Sequence, residues 1–307
     1  MEKIKIIYYK LSLKILRLRN KFYRLTHKNN FTNKVTIVSS LKYKNKEDIN
    51  LEYALLKNNI DTIIASWDKD TITNNAIIRS VWNYYNNLEQ FTNFITNLPK
   101  KVINSKEIIL NNMNKEKQYK LFTKYNIPHI STTFIKDNKA LNNIDIKEPL
   151  VIKPTISAAG ANTFKINNNK ELKIAIKNYQ NKGINYIMVQ SYQQGIKDGE
   201  ISIILLNNNI EYGIKRFPGI LTNNCSLNYV SKNDIDKEII DITKKIQNIK
   251  EYQNNTFMRI DLIKENNSYK VLELELLDPA LFIETIPNKK ERQNMYNKFA
   301  QIIKEKL

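Results

Sequence analysis

The chain has few of the residues that mark disulfide-rich or zinc-binding proteins. Its 307 residues include one cysteine, Cys225, and two histidines, His27 and His129. One cysteine excludes an intramolecular disulfide framework and fits a reducing compartment. So few thiol and imidazole groups also disfavour a zinc site or a cysteine nucleophile. No apolar run approaches the roughly 20 residues of a membrane-spanning helix, so the sequence favours a globular, cytoplasmic protein.

Acidic residues are scarce relative to basic ones, and the net charge is +19. Such an excess ordinarily indicates a nucleic acid or an anionic membrane as partner. Here Lys, Asn and Ile are frequent along the whole chain, as codon bias in an AT-rich genome would produce. The tyrosines are scattered and do not alternate with cations in one patch, as they would in a nucleic-acid site. We therefore expect no specific nucleic-acid partner.

The first 30 residues form a separate basic segment with a loosely amphipathic pattern. Leucine and isoleucine side chains from Ile4 to Leu18 are interleaved with Lys and Arg, which predicts a helix. The segment could be a solvated helix packed on the body, a membrane-surface anchor or an organelle presequence. Spacing alone does not separate these alternatives.

From Val35 onward the pattern is that of an α/β protein. Short apolar strands alternate with helices from Val35 to about Leu98, which predicts a parallel sheet covered by helices. Further predicted strands and helices follow up to about residue 192. The last third differs, because two strand pairs are joined by Asn-rich turns, a hairpin pattern. The predicted pairs are Glu200–Leu206 with Glu211–Arg216, and Phe257–Ile263 with Tyr269–Leu276.

The second hairpin carries an unusual set of charges. Side chains alternate faces along a strand, so Arg259 and Asp261 share one face, and Glu273 and Glu275 share one face of the partner strand. Three carboxylates cannot stay close and ionised without a cation. Oxygen ligands without His or Cys indicate a hard ion such as Mg²⁺. The alternative is an ordinary amphipathic hairpin with a solvated charged face.

A second informative segment is a buried strand that delivers a lysine to a loop of small residues. Val151–Pro154 is followed by residues 155–161, with sequence TISAAGA. Small and hydroxyl-bearing residues let backbone N–H groups approach phosphate oxygens. The loop has only Gly160 as a glycine, so it matches neither the Walker nor the Rossmann pattern. The alternative is a strand-end lysine followed by a turn.

Taken in order, these motifs resemble the ATP-grasp superfamily, near prokaryotic glutathione synthetases and nearer to the branch of the D-cycloserine-forming O-ureido-serine cyclo-ligase. The resemblance runs from Val35 to the C-terminus. Its motifs are NMNK at 112–115, VIKP at 151–154, MVQSY at 188–192, EIS at 200–202, KR at 215–216, RIDL at 259–262 and LELEL at 272–276. RSVWNY at 79–84 and DPALF at 278–282 resemble further motifs of that branch.

The resemblance implies an α/β fold with α+β lobes and four parts. These are a basic extension (1–31), an N-terminal α/β lobe (32–111), an ATP-grasp lobe with a phosphate loop (112–192) and a C-terminal ATP-grasp lobe with a metal site (193–307). It also implies roles for single residues in binding ATP. Lys115, Lys153, Ser157 and Gly160 would contact phosphates, Gln190, Ser191 and Tyr192 the adenine, and Glu200 the ribose.

The family's chemistry is implied in the same way. Asp261, Glu273 and Glu275 would hold Mg²⁺, which Mn²⁺ could replace, and Lys215 or Arg216, with Arg259 nearby, would stabilise the transferring phosphoryl group. The reaction would pass through an acylphosphate that an amine attacks. A small amino-acid-like substrate would meet Arg79, Trp82, Asn83 and Tyr84, although packing at a strand end explains these residues equally well.

Two departures from the family pattern qualify these expectations. Asn83 stands where the branch has Asp, and the basic segment before Val35 is additional to the pattern. Two other functions stay open: a ligase that modifies a peptide or protein, and a basic nucleic-acid or membrane-surface protein with a decayed ATP site. The presence of all three predicted metal carboxylates argues against decay.

Overall fold

The computed structural model describes residues 2–40, 44–158, 160–217 and 226–307, and its described strands form three sheets. Cys225 lies outside the described residues. Within the described residues no helix is both long enough and apolar enough to cross a membrane.

The N-terminal sheet is parallel, with strand order β2-β1-β3-β4. Its elements are β1 (Asn33–Val38), α2 (Lys46–Lys57), β2 (Ile60–Ala65), β3 (Asn75–Ile78), α3 (Leu88–Asn97), β4 (Val102–Ile103) and α4 (Lys106–Asn112). The alternation of strands and helices therefore predicted this sheet correctly. The short elements β4 and α4 were not predicted.

The middle sheet is antiparallel, with order β5-β8-β6-β7. Its elements are α5 (Lys115–Lys124), β5 (Thr132–Ile135), β6 (Leu150–Pro154), β7 (Phe164–Ile166), α6 (Asn169–Asn181) and β8 (Ile187–Ser191). The sequence predicted the positions of β5, β6, β8, α5 and α6, but not β7 or the antiparallel pairing of the strands.

The C-terminal sheet is antiparallel, with order β11-β10-β9-β12-β13. Its elements are β9 (Glu200–Leu206), β10 (Asn209–Arg216), β11 (Leu227–Val230), α7 (Lys237–Gln247), β12 (Phe257–Glu265), β13 (Ser268–Glu275) and α8 (Lys289–Lys306). Both predicted hairpins are confirmed. Each turns on two asparagines with positive φ, Asn207-Asn208 and Asn266-Asn267, as tight hairpin turns require.

Asparagine also begins most of the helices. The side chains of Asn45, Asn87, Asn114, Asn168 and Asn288 accept hydrogen bonds from the first backbone N–H groups of α2, α3, α5, α6 and α8. Asparagine is among the best residues for this position. The Asn-rich composition therefore serves local structure at helix starts and hairpin turns.

Helix α1 (Glu2–Thr26) packs along α2. Leu13 and Asn20 are buried in this contact, and the Asn20 amide donates to Ile49 O and to Glu52 Oε2, at 2.7 and 2.8 Å. Arg24 Nε lies 2.6 Å from Asp61 Oδ1 at the end of the helix. Most of the basic segment is therefore a helix that packs on the N-terminal lobe with one of its sides.

The contact between α1 and α2 gives a prediction about pH. Burial raises the pKa of Glu52 to about 7, against the hydrogen bond from Asn20 and the charges of nearby arginines. The folded state thus binds this proton more tightly than the unfolded state, so stability is lost as pH rises from the ordinary glutamate value through 7. Glu52→Gln should raise the unfolding free energy at pH 8 by about 3 kcal/mol and leave it unchanged at pH 4. Urea unfolding at both pH values measures this difference, and an equal effect at both would contradict it.

Candidate active site

A cavity of about 380 Å³ lies between the middle and C-terminal sheets. Its walls come from β6 and the loop after it, the end of β8, and one face of β9, β10, β12 and β13. The predicted residues that line it are Lys115, Lys153, Ser157, Gly160, Gln190, Ser191, Tyr192, Glu200, Arg216, Arg259, Asp261, Glu273 and Glu275. The structure thus brings together thirteen residues that are spread over more than half of the sequence.

The pairing of β12 with β13 places the charged side chains on the cavity face. Arg259 lies opposite Glu275, and Asp261 lies opposite Glu273. Met258, Ile260, Leu262, Leu274 and Leu276 pack into the core on the other face. Leu272 is an exception, because the register shifts beside it and the bulge turns its side chain into the cavity.

Asp261 is held by cations on two sides. Arg259 donates to both of its oxygens at 2.8 and 2.9 Å, Arg216 Nη2 donates to Oδ2 at 2.8 Å, and Ser202 Oγ donates to Oδ1 at 2.6 Å. Burial alone would raise the pKa of Asp261, but the two guanidinium groups hold it well below its usual range. Asp261 is therefore ionised at any working pH.

The two glutamates of β13 have weaker partners. Glu273 Oε1 lies 3.0 Å from Lys115 Nζ, and Glu275 Oε1 lies 3.4 Å from Arg259 Nη2. Burial, followed by the charge of Glu273, raises the pKa of Glu275 to about 7, against the effect of Arg259. Repulsion between these two carboxylates is thus relieved only in part.

The three carboxylates share the cavity but are not gathered around one point. Among the residues that the structure describes, no group of three acidic, His or Cys side chains is close enough to hold a metal ion. Instead, Lys115, Arg216 and Arg259 lie beside the carboxylates. The expected convergence of three metal ligands is therefore incomplete, since cationic side chains neutralise the carboxylates in this structure.

Arg216 and Lys215, the two candidates for stabilising the phosphoryl group, lie on opposite sides of β10. Arg216 lines the cavity and pairs with Glu200 Oε2 at 2.7 Å and with Asp261. Lys215 points to the opposite side of β10, where it borders a different cavity with Ile201 and Lys264. Adjacent strand residues face opposite ways, so Lys215 cannot share the site, and that part of the prediction is corrected.

The loop after β6 closes one end of the cavity. Lys115 Nζ donates to Ser157 O at 2.9 Å, so this lysine joins the loop to Glu273 on β13. Gly160 has φ +71°, a conformation that favours glycine. Burial lowers the pKa of Lys153, whose side chain lines the same end of the cavity. Two lysines and a loop of small residues thus lie within one cavity.

The end of β8 is fixed by hydrogen bonds. Gln190 Nε2 donates to Tyr119 Oη and Thr132 Oγ1, both at 2.8 Å, and Ser191 Oγ donates to Glu148 Oε1. The Tyr192 N–H donates to Pro149 O. The Gln190 Nε2 group and the Tyr192 N–H therefore hold β8 in place, and these donors are already engaged in this conformation.

The sequence did not predict the apolar wall of the cavity. It consists of Ile130, Val151, Ile196, Ile263 and Leu272. Isolated apolar residues on separate strands look like ordinary core, and only their position around one cavity distinguishes them. Ser202 was also missed, although alternation along β9 places it on the same face as Glu200.

The predicted substrate residues Arg79 and Tyr84 lie elsewhere. Arg79 is 2% exposed, and its Nη2 donates to Glu47 Oε1 at 2.5 Å while its Nε lies 3.6 Å from Asp48 Oδ1. Its Nη1 donates to Pro279 O at 2.9 Å. Tyr84 is buried against Phe91. Neither side chain can reach a substrate in this conformation, which corrects that expectation.

Trp82 and Asn83 are partly exposed, but neither lines the cavity. Trp82 Nε1 donates to Asp278 O at 3.4 Å, and Asn83 Oδ1 accepts from Trp67 Nε1 at 2.7 Å. The first contact joins the segment after β3 to the chain after β13, and the second joins it to the segment after β2. A substrate contact by either residue stays a prediction.

Comparison with known proteins agrees with this arrangement. The family model of the prokaryotic glutathione synthetase ATP-grasp domain matches residues 116–291, more than half of the chain. No curated protein sequence matches it. Among solved structures, D-cycloserine synthetase DcsG is similar, with 15% identity, a TM-score of 0.74, and coverage of 89% of this chain and 99% of that one.

Two further structures share the fold. D-alanine–D-alanine ligase from Bacillus anthracis has 13% identity and a TM-score of 0.62, with 89% of this chain and 97% of that one covered. The ATP-grasp ligase PsnB, solved with a precursor variant, Mg and ADP, has 13% identity and a TM-score of 0.58, with 90% and 99% covered. At such low identity the structures show the fold, and the family model shows membership. The chain therefore belongs to the ATP-grasp carboxylate–amine ligases, in the prokaryotic glutathione synthetase family.

Proposed function

We propose that the protein uses MgATP to activate the carboxylate of a small amino-acid-like substrate and join it to an amine. One observation carries the proposal: the charged residues of β10, β12 and β13, the lysines of α5 and β6, and an apolar wall all line one cavity. Its volume of about 380 Å³ lies within the range of small-molecule sites.

The two ends of the cavity suit the two ends of a nucleotide. Ile130, Val151 and Ile263 offer an apolar wall for a base. Lys115 and Lys153, together with the loop that holds Ser157 and Gly160, offer cations and backbone groups for phosphates. In this proposal Glu200, which also lines the cavity, would contact the ribose.

The donor chemistry of β12 and β13 fits Mg²⁺ or Mn²⁺. Asp261, Glu273 and Glu275 supply only carboxylate oxygens, the ligands that hard ions prefer. In the structure Lys115 and Arg259 lie against the glutamates, and binding of the ion together with the phosphates would give those cations new partners. When bound, the ion would neutralise charge on the phosphate oxygens.

The proposed reaction has two steps. An oxygen of the substrate carboxylate attacks the γ-phosphorus, the bond to the bridging oxygen breaks, and ADP leaves with that electron pair. The amine nitrogen then attacks the acyl carbon, phosphate leaves, and the nitrogen loses a proton. Arg216, fixed by Glu200 and Asp261, offers a guanidinium that would stabilise charge on the transferring group.

Substrate-dependent ADP release tests the proposed function. Single amino acids, pairs of amino acids and dipeptides are incubated with MgATP, and ADP, AMP and phosphate are measured separately. ADP with phosphate is the expected result. AMP with pyrophosphate would contradict the acylphosphate step. Turnover only with an acidic peptide or protein would replace the small substrate by the peptide-modifying alternative.

Lys153→Met should weaken nucleotide binding and turnover together. A charge-assisted contact to phosphate contributes about 1.5–3 kcal/mol, so the dissociation constant of ADP should rise roughly tenfold to a hundredfold. Isothermal titration measures it without substrate. Lys173→Met on the exposed face of α6 is the matched control and should bind as the wild type does. If the dissociation constant of ADP is unchanged in Lys153→Met, this lysine does not contact phosphate and has a structural role.

A further inference from the structure

Helix α1 has two apolar sides, and only one of them is covered by protein. The covered side contains Leu13 and Leu16 and packs on α2. The other side carries a stripe of large apolar residues with alternating spacings of three and four, the spacing that keeps side chains on one helix face. The exposed stripe is formed by Tyr8, Leu11, Ile15, Leu18, Phe22 and Leu25.

Most of the exposed large apolar side chains among the described residues lie on α1. The six side chains of the stripe are between 50% and 69% exposed, and Ile4, Ile6, Ile7 and Tyr9 of the same helix are also exposed. Outside α1, the exposed large apolar side chains of the described residues are Ile174, Tyr186 and Leu227. Those three lie singly on different elements. A contiguous exposed apolar surface marks an interaction site.

The charge beside the stripe indicates what covers it. Helix α1 contains eight Lys and Arg residues and one acidic residue, Glu2. On a helical projection, Lys10, Lys14 and Lys21 border one edge of the stripe and Arg19 borders the other. Lysines at such edges can extend their amines to anionic groups while their methylene stems lie along apolar surface.

We propose that α1 lies in the surface of an anionic lipid bilayer and docks the protein there. An apolar face with aromatic and leucine side chains, edged by lysines, is typical of helices that bind in the plane of the interface. In α1 the side opposite to the stripe packs on the rest of the protein instead of facing water. The packing of Leu13 and Asn20 on α2 presents the stripe outward as part of the folded protein.

A second copy of the chain is the other natural occupant, since the stripe also has the spacing of a coiled-coil seam. Two copies of α1 would place like charges, such as Lys14 and Arg19, along both edges of that seam. Such repulsion disfavours self-association. An anionic bilayer instead complements the lysines along the edge of the stripe.

Vesicle flotation tests the proposal with the full chain. The protein should bind phosphatidylcholine vesicles that contain phosphatidylserine, and should bind pure phosphatidylcholine vesicles much less. Binding should be lost near 1 M salt, because the Debye length is then only about 3 Å. Each lysine near an anionic surface contributes about fivefold in affinity, so Lys14→Glu/Lys21→Glu should lower it at least about 25-fold. Leu11→Gln/Leu18→Gln should lower it at least about tenfold.

Helix α6 supplies matched controls with the same chemistry at exposed positions. Lys173→Glu/Lys177→Glu and Ile174→Gln should bind vesicles as the wild type does. Equal loss in the α6 variants would overturn the proposal in favour of general attraction to a basic protein. Absence of binding to phosphatidylserine vesicles would also overturn it. If light scattering shows a dimer that Leu11→Gln/Leu18→Gln dissociates, the stripe binds a second copy of the chain and the proposal is wrong. Thermal melts with and without MgATP verify that each variant folds and that the ATP site is intact.

Discussion

Glu273→Gln is expected to reduce ATP-dependent ligation at least about a hundredfold, the size of effect seen when a single group that stabilises transferring charge is removed. Among the described residues, Glu273 forms an ion pair with Lys115 alone, and its side chain is about one-fifth exposed. Loss of its charge removes one proposed ligand of the metal, while it also relieves repulsion with Glu275 in the absence of metal. The glutamine amide oxygen can still accept a hydrogen bond from Lys115, so the fold should remain, with a melting temperature close to that of the wild type.

Two measurements separate a metal ligand from a structural carboxylate. The Mn²⁺ or Mg²⁺ concentration for half-maximal ADP release should rise in Glu273→Gln, and the paramagnetic resonance signal of free Mn²⁺ in the presence of ADP should show weaker binding. Glu89→Gln, at an exposed position in the first turn of α3, should change neither. Full activity of Glu273→Gln at low metal concentration would exclude Glu273 as a ligand.

Asp261→Asn differs from Glu273→Gln because Asp261 already has strong partners. Arg216 and Arg259 both donate to its carboxylate, and Arg259 is itself buried. Neutralising Asp261 would leave two guanidinium groups with too little negative charge nearby, a costly arrangement. We therefore expect lower stability as well as lost activity in that variant, so Glu273→Gln is the cleaner test of the metal site.

Strand alternation predicted much of this site from the sequence. It placed Arg259 and Asp261 on one face and their apolar neighbours on the other, as the structure has them. Alternation works here because both strands are regular and one face is core. Alternation fails at Leu272, because a bulge adds one residue to β13 and turns this side chain to the other face. No feature of the sequence predicts that bulge.

Partner choice was harder to predict than orientation. Lys115 and Glu273 are far apart in sequence, and so are Arg79 and its partners on α2. Periodicity describes which face a side chain takes but not which distant element covers that face. An arginine beside Trp, Asn and Tyr at a strand end therefore suggested a ligand pocket. In the structure this arginine is buried and donates to Glu47.

Arg79 connects three parts of the chain through a buried carboxylate. Glu47 accepts from Arg79, and its two oxygens also accept from the backbone N–H groups of Leu281 and Ile283. Arg79 itself donates to Pro279 O. The segment that follows Glu275 on β13 is thus tied to β3 and α2, so the arginine positions the chain next to the proposed metal carboxylates.

Arg79→Ala should therefore destabilise the protein, by about 3–5 kcal/mol, because removal of one partner leaves Glu47 and Asp48 buried without their cation. Burial already raises the pKa of Asp48 to about 6, against the charge of Arg79, so loss of that charge would raise it further. Urea unfolding measures the change. Arg24→Ala is a suitable control, because Arg24 pairs with Asp61 at a side-chain exposure of 36% and such surface pairs contribute about 0.2–1 kcal/mol.

The kinetics of the same variant decide between a positioning role and a substrate contact. With an assay in hand, Arg79→Ala at a temperature where it remains folded should lower kcat, because the segment after β13 is less firmly held. Arg79→Lys, which restores the charge but not the forked donors, should recover part of the stability. A variant with wild-type stability and a large rise in KM alone would instead mean that Arg79 leaves its buried partners and binds the substrate carboxylate.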